Sequence, residues 1–335
     1  MRRLFRTVAI TILLWMLVVA GLIVFGTASP PPALPSVTGP FSSMELGGQP
    51  PLRSFRARNG AQLHFREYAA DGSRAAVLIH GSAGSSGDMH MLALALQRAG
   101  ITSYVPDLRG HGADTPHGDI QYVHQLDDDL SDFMDELKAA RHNATWTLIG
   151  FSSGGGFALR IAAEGQLGQL FDRYILLSPY LRYDSPSVRQ SDSDKKPDGV
   201  ALPVTSQSWA APSIGRIIGL NILNSLGIRA WDGLSVLAFP VPADVESVTQ
   251  HYSWRLLRNF GADDDYAADI RAVTRPMQVY VGELDEILIP SSLQTEFQSQ
   301  RRDIPVAILQ GIGHSGMITR QEAISAVVAH VQQQR

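Results

Sequence analysis

Ser152 is the residue whose surroundings most plainly allow chemistry. It stands in Leu148-Ile149-Gly150-Phe151-Ser152-Ser153-Gly154-Gly155-Gly156, a G-x-S-x-G pattern at Gly150, Ser152 and Gly154. The apolar run 145–149 reads as a strand and 157–163 as a helix, so the serine falls on a sharp strand-to-helix turn. Such a turn holds the hydroxyl clear of the sheet, and the flanking glycines let strand and helix approach closely. A serine hydroxyl is a weak nucleophile near neutral pH. It needs a base within hydrogen-bond reach, and the base needs an orienting acid. His314, in the glycine-flanked loop Gly311-Ile312-Gly313-His314, can be that base. Asp285, after Gly282-Glu283-Leu284, can be the acid, with Glu283, Glu286 and Asp107 as the other carboxylates nearby or at a strand end. The chain order serine, aspartate, histidine is that of acyl hydrolases. The oxyanion formed on attack needs preorganised N–H donors. The backbone N–H groups of Ser153 and of Ser82, in His80-Gly81-Ser82, are the expected pair.

Other polar groups read as structural. His80 is expected to brace its loop, and His111 to sit in the tight turn Arg109-Gly110-His111-Gly112. Val123, Leu126, Leu130, Phe133 and Leu137 mark one face of an amphipathic helix. Asp127, Asp128, Asp129, Asp132 and Asp135 lie largely off that face. Consecutive helical residues diverge, so a solvated surface is expected there rather than a metal site. There is no H-E-x-x-H pattern, no Gly-Lys-Ser/Thr after the glycine run and no cysteine. Zinc of that type, a phosphate loop, thiolate chemistry and disulfides are therefore set aside, and no cofactor or metal is expected.

The elements that must position these residues follow in order. A hairpin is expected at 54–58 and 62–68 around Asn59-Gly60. Strands follow at 75–79, 101–105 and 173–177, with a helix at 88–99. From 181 to 268 the rhythm breaks into prolines, a polar run at 191–196 and apolar pieces such as 214–226, which reads as an inserted helical cap. Strand, helix, strand and helix resume at 277–281, 292–300, 306–309 and 321–333. Alternating strands and helices imply an α/β protein with a mostly parallel twisted sheet covered on both faces. Sites in such sheets lie at the carboxyl ends of the strands. His80, Asp107, Ser152, Asp285 and His314 all come just after expected strands.

The chain of 335 residues, with net charge −4, is long enough for one large α/β domain, and its charge gives no sign of a nucleic-acid partner. Arg2, Arg3 and Arg6 precede the apolar run 8–25. A cleaved signal has a core of about 7–15 residues, whereas a spanning helix needs about 17–25. An N-terminal membrane helix with its arginines in the cytoplasm and the remainder outside is expected. The alternative is a signal cleaved near Gly26-Thr27-Ala28, leaving a secreted or periplasmic protein. The expected organisation is an anchor at 1–28, a proline-rich spacer at 29–52, a core at 53–180 and 269–335, and a cap at 181–268.

Taken together, His80-Gly81-Ser82-Ala83-Gly84, Pro106-Asp107-Leu108-Arg109-Gly110-His111-Gly112, Gly150-Phe151-Ser152-Ser153-Gly154, Gly282 to Asp285 and Gly313-His314 resemble the α/β-hydrolase superfamily. Within it the chain is similar to the monoacylglycerol lipase, lysophospholipase and serine aminopeptidase S33 group. The resemblance implies Ser152 as nucleophile, Asp285 as acid, His314 as base, and Ser82 and Ser153 as oxyanion donors. It implies a carboxylic ester, small or lipid, as substrate. An acyltransferase, an aminopeptidase or a silent binding protein on the same fold are the alternatives. The apolar cap residues Ile217, Ile218, Leu220, Ile222, Leu223 and Leu226 would either line an acyl-chain site or pack the cap down. Oligomeric state is left open.

Overall fold

A computed structural model of the chain describes residues 2–32, 47–189, 209–241 and 248–333, with positions 35, 37 and 39. The polar run 191–196 and much of the proline-rich segment lie outside the described residues. Four short apolar segments form the centre: β3 (Arg74–Ile79), β5 (Thr145–Phe151), β6 (Arg173–Leu177) and β10 (Met277–Gly282), all nearly wholly buried. Continuous apolar runs are what parallel strands covered on both faces require. With β1 (Leu52–Arg56), β2 (Gln62–Tyr68), β4 (Thr102–Pro106) and β11 (Val306–Leu309), they make an eight-stranded sheet in the order β1-β2-β4-β3-β5-β6-β10-β11. The β1–β2 hairpin turns at Asn59-Gly60, where Gly60 takes φ 87°, and β2 meets β4 antiparallel; the remaining pairs are parallel. The register sets Ile79 opposite Gly150, Phe151 opposite Leu177, and Gly282 opposite Leu309. The carboxyl ends of these strands therefore open on one rim.

Helices cover both faces. α1 (Arg2–Phe25) precedes the sheet. α2 (His90–Arg98) and α10 (Gln321–Gln333) pack Leu92, Leu96, Ile324 and Val327 on one face. α3 (Gln125–Ala140), α4 (Ser153–Ala163), α7 (Tyr266–Ala272) and α8 (Pro290–Gln300) pack Leu126, Phe157, Ile270 and Phe297 on the other. The inserted region holds α5 (Ile214–Ser225) and α6 (Trp254–Leu257), and α9 (Gly316–Thr319) follows the last strand. The insertion is not purely helical. β7 (Ala211–Pro212), β8 (Ser235–Ala238) and β9 (His251–Ser253) form a small antiparallel sheet. Strands this short carry too little alternation to be read from the chain.

Two other expectations change. Two of the five aspartates of α3 depart from the expected solvated face. Asp127 and Asp129 are only 7% and 6% exposed. Asp127 receives a two-pronged hydrogen bond from Arg160 of α4 at 2.6 and 2.7 Å, and Asp129 one from Arg109 at 2.7 and 2.8 Å. At these two positions the polar side of the helix is covered and meets guanidiniums, while Asp135 stays exposed. The second change concerns α5. Leu220, with Ile217, Ile222 and Leu223, packs around Val19 and Ile23 of α1, while Ile218 and Leu226 are exposed. Close approach is possible because Gly219 faces Ile23: a Cβ there would come 2.6 Å from the Ile23 side chain. Arg216 closes the contact by donating to the Ile23 carbonyl at 2.9 Å. The apolar face of α5 thus serves packing against α1.

Removing one partner of a buried ion pair strands the other, at about 3–5 kcal/mol. Asp127→Ala is expected to lower stability by that amount in equilibrium urea denaturation. The double change Asp127→Leu/Arg160→Met is expected to lose markedly less, since no buried charge is left alone.

Candidate active site

The turn after β5 sets the serine. Ser152 takes φ 54° and ψ −120°, a left-handed conformation unusual for a residue with a Cβ. Strain of this kind costs about 1–3 kcal/mol and persists only where the surroundings enforce it. Here the Ser152 N–H donates to Leu177 O at 2.9 Å, and its carbonyl accepts from Gly155, Gly156 and Tyr180. Side chains at Gly150 or Gly154 would run into backbone carbonyls, those of Gly154 and of His80 respectively, so this strand and helix meet only with glycine at both places.

The structure brings the three expected side chains together. Nε2 of His314 lies 3.0 Å from Ser152 Oγ. Its Nδ1 lies 2.9 and 3.0 Å from the two Asp285 carboxylate oxygens. All three residues are buried, Asp285 to 0% exposure. Burial alone would raise the Asp285 pKa. The charge and hydrogen bond of His314, together with the Leu288 N–H, outweigh it and hold the carboxyl below its ordinary value. Oδ1 accepts from the N–H groups of Ile287 and Leu288 at 2.9 and 2.8 Å, which fixes its orientation. The other carboxylates serve loops. Glu286 accepts from the His314 N–H at 2.7 Å, Glu283 from Gly311 N–H at 2.9 Å, and Asp107 from Ser86 and Ala113 N–H at 2.6 and 3.0 Å.

Ser82 and Ser153 lie close enough for their hydroxyls to hydrogen-bond to each other. Neither backbone N–H donates to a protein group among the described residues. The Gly81 turn passes close by: a Cβ there would lie 3.2 Å from that of Ser152. His80 braces this loop as expected, its Nδ1–H donating to Gly81 O at 2.8 Å and its Nε2 accepting from Leu108 N–H at 3.3 Å. Burial pushes the pKa values of both His80 and His111 down and keeps the rings neutral.

Tyr252, which nothing in the sequence singled out, completes the arrangement. It comes from β9 and is buried. Its hydroxyl oxygen accepts from Ala83 N–H at 2.8 Å and its proton goes to His111 Nε2 at 2.6 Å. His111 Nδ1–H in turn faces Arg109 O at 3.3 Å. The Ala83 carbonyl accepts from Thr249 N–H at 3.0 Å. Ala83 has φ 62°, so both backbone groups of a strained residue beside Ser82 are gripped by Thr249 and Tyr252 of the inserted region. Its segment lacks both periodicity and a motif, so only contact could reveal it.

A family model described as serine aminopeptidase, S33, matches residues 71–217. Comparison with curated protein sequences gives no match. Among solved structures, a monoacylglycerol lipase from Paleococcus ferrophilus is 18% identical with a TM-score of 0.59, over 81% of this chain and 98% of that one. A soluble variant of the monoglyceride lipase of Saccharomyces cerevisiae, solved with a substrate analog, is 17% identical with a TM-score of 0.60, over 87% and 96%. Est1E from Butyrivibrio proteoclasticus, solved with ferulic acid bound, is 14% identical with a TM-score of 0.55, over 84% and 96%. At these identities the likeness to solved structures is one of fold. With its parallel sheet, its serine turn and the match at 71–217, the chain has the α/β-hydrolase fold and resembles the serine aminopeptidase S33 and monoacylglycerol lipase group of that superfamily.

Proposed function

We propose that the chain is a serine hydrolase that cleaves a carboxylic ester, of the carboxylesterase, lysophospholipase or monoacylglycerol lipase kind. One observation carries the reading: a single imidazole lies within hydrogen-bond reach of a strained serine hydroxyl on one side and of a buried carboxylate on the other. Ser152 Oγ attacks the acyl carbon while His314 Nε2 takes its proton. Asp285 holds the ring in the tautomer with Nδ1–H and steadies the imidazolium. The N–H groups of Ser82 and Ser153 receive the negative oxygen. His314 returns the proton to the departing alcohol, leaving an acyl-enzyme, then draws a proton from water so that hydroxide releases the acid.

The membrane belongs to the same proposal. α1 is 24 residues long, a stretch of 18 residues within it has mean hydropathy 2.9, and it is long and apolar enough to cross a bilayer. Arg2, Arg3 and Arg6 stay on the cytoplasmic side, and the catalytic domain lies outside.

Ser152→Ala is expected to cut turnover of p-nitrophenyl acetate and of a monoacylglycerol by about three orders of magnitude or more, and to abolish fluorophosphonate labelling. Asp285→Asn is expected to lower kcat by about 10⁴. Unchanged turnover in the serine variant would refute the assignment. Tyr252→Phe removes the hydroxyl that holds Ala83, and kcat should fall about tenfold or more with KM nearly constant, because only the transition state needs the loop in place. A change confined to KM would count against that role. For the anchor, the mass of the chain recovered from membranes should include residues 1–28, and alkaline carbonate should not extract it; a chain starting near Ser29 would point to a cleaved signal.

A further inference from the structure

At the opposite rim of the sheet, where β6 and β10 begin, lies a cavity of about 390 Å³. It is lined by Arg173, Arg275, Arg301, Asp303, His330 and Met277, among others. Its size falls within the range of small-molecule sites, about 300–1,000 Å³. Three guanidiniums against one carboxylate leave a charge of +2 with His330 neutral.

The charges are not used up among themselves. Arg301 is paired: Nε and Nη2 grip Asp303 at 2.8 and 2.6 Å, and Nη1 donates to Val273 O at 2.6 Å. Arg275 gives Nη2 to Gln169, but its buried Nε has no partner among the described residues. Arg173 is the decisive group. It is the first residue of β6, only 8% exposed, and its buried Nη1 has no hydrogen-bond partner among the described residues. It is in none of the ion pairs found there either. Asp172, its chain neighbour, spends a carboxylate oxygen on the Trp146 N–H at 2.7 Å. Burial depresses the Arg173 pKa, Asp172 opposes this, and Arg74 adds to it. Burying a guanidinium without a partner is among the costlier arrangements a fold can hold. Here the orphaned group lines a cavity beside a second, partly unpartnered guanidinium.

We propose that this cavity is a binding site for a phosphate dianion, free or as a phosphomonoester, with Arg173 and Arg275 donating to the phosphoryl oxygens. Planar guanidinium forks suit that geometry. The volume leaves space beyond the phosphoryl group for an organic substituent against Met277. The site is separate from the serine chemistry, since β6 and β10 run from this rim to the other, and it stands whether or not the hydrolase reading does.

The test uses the full-length chain in detergent, titrated calorimetrically with inorganic phosphate and with glycerol 3-phosphate in chloride buffer. Saturable one-to-one binding of either, with a rise in Tm, is expected. Tighter binding of glycerol 3-phosphate identifies the ester as the ligand class, and binding of inorganic phosphate alone identifies the free anion. Arg173→Met and Arg275→Gln should each weaken binding by about tenfold or more. Without ligand, Arg173→Met should melt no lower than the parent, because it removes an unpaired buried charge. Arg275 is only partly buried, so its variant reads out binding even where the Arg173 variant fails to fold. Ser152→Ala should bind as the parent does. Absence of saturable heat from both ligands, or full binding retained in both arginine variants, overturns the proposal.

Discussion

One imidazole must satisfy two partners at once, and that requirement constrains most of the chain. Ser152 follows β5 and Asp285 follows β10, and β6 lies between them. Two strand spacings separate the two ends by about 10 Å. Neither side chain can reach the other across that gap. The His314 ring, entering from the loop after β11, spans it with a nitrogen at each end. The bridge works only if three strands stop at the same level, and the parallel register arranges that. The sheet matters here less as a core than as a ruler.

The same economy of distance explains where glycine is compulsory. A Cβ at Gly282 would strike the carbonyl of Ile312, and one at Gly313 would come 2.9 Å from the Glu286 carboxylate that holds the His314 N–H. The base loop can therefore lie directly on the end of β10. The oxyanion loop is held differently, by side chains reaching in from a distance. Asp107 ties it to the turn after β4, and Tyr252 ties it to β9 of the insertion. The insertion thus reaches the reacting centre through one phenol, whose hydroxyl is matched on both sides only because His111 is neutral.

What could be read from the chain alone divides along physical lines. That Ser152, Asp285 and His314 meet was legible because each is announced by its own neighbours: a glycine turn after an apolar run. The places of the central strands along the chain were legible for the same reason, since buried parallel strands are uninterrupted apolar runs. Asp127 and Asp129 were not. Helical period tells which residues face away from the sheet, but not that Arg160 and Arg109 cover them. Nor can period say whether an apolar helix such as α5 meets a ligand or another helix. That depended on Gly219 and Gly26, small residues whose meaning appears only when two helices touch. Tyr252 is an extreme case, a single contact in an irregular stretch.

The two rims of the sheet are built on opposite electrostatic principles. At the carboxyl ends, the histidines around the oxyanion loop are held neutral by burial, and the one buried acid facing His314 has its charge matched by the ring. The side chains of Ser152, His314 and Asp285 are all partnered there. At the amino ends, the chain returning from helices brings Arg173, Arg275 and Arg301 together, and one of them is left buried with donors unspent. A methionine at 173 would fill the same space without that cost. A local arrangement that works against stability, and lines a cavity, is where a functional demand is to be sought.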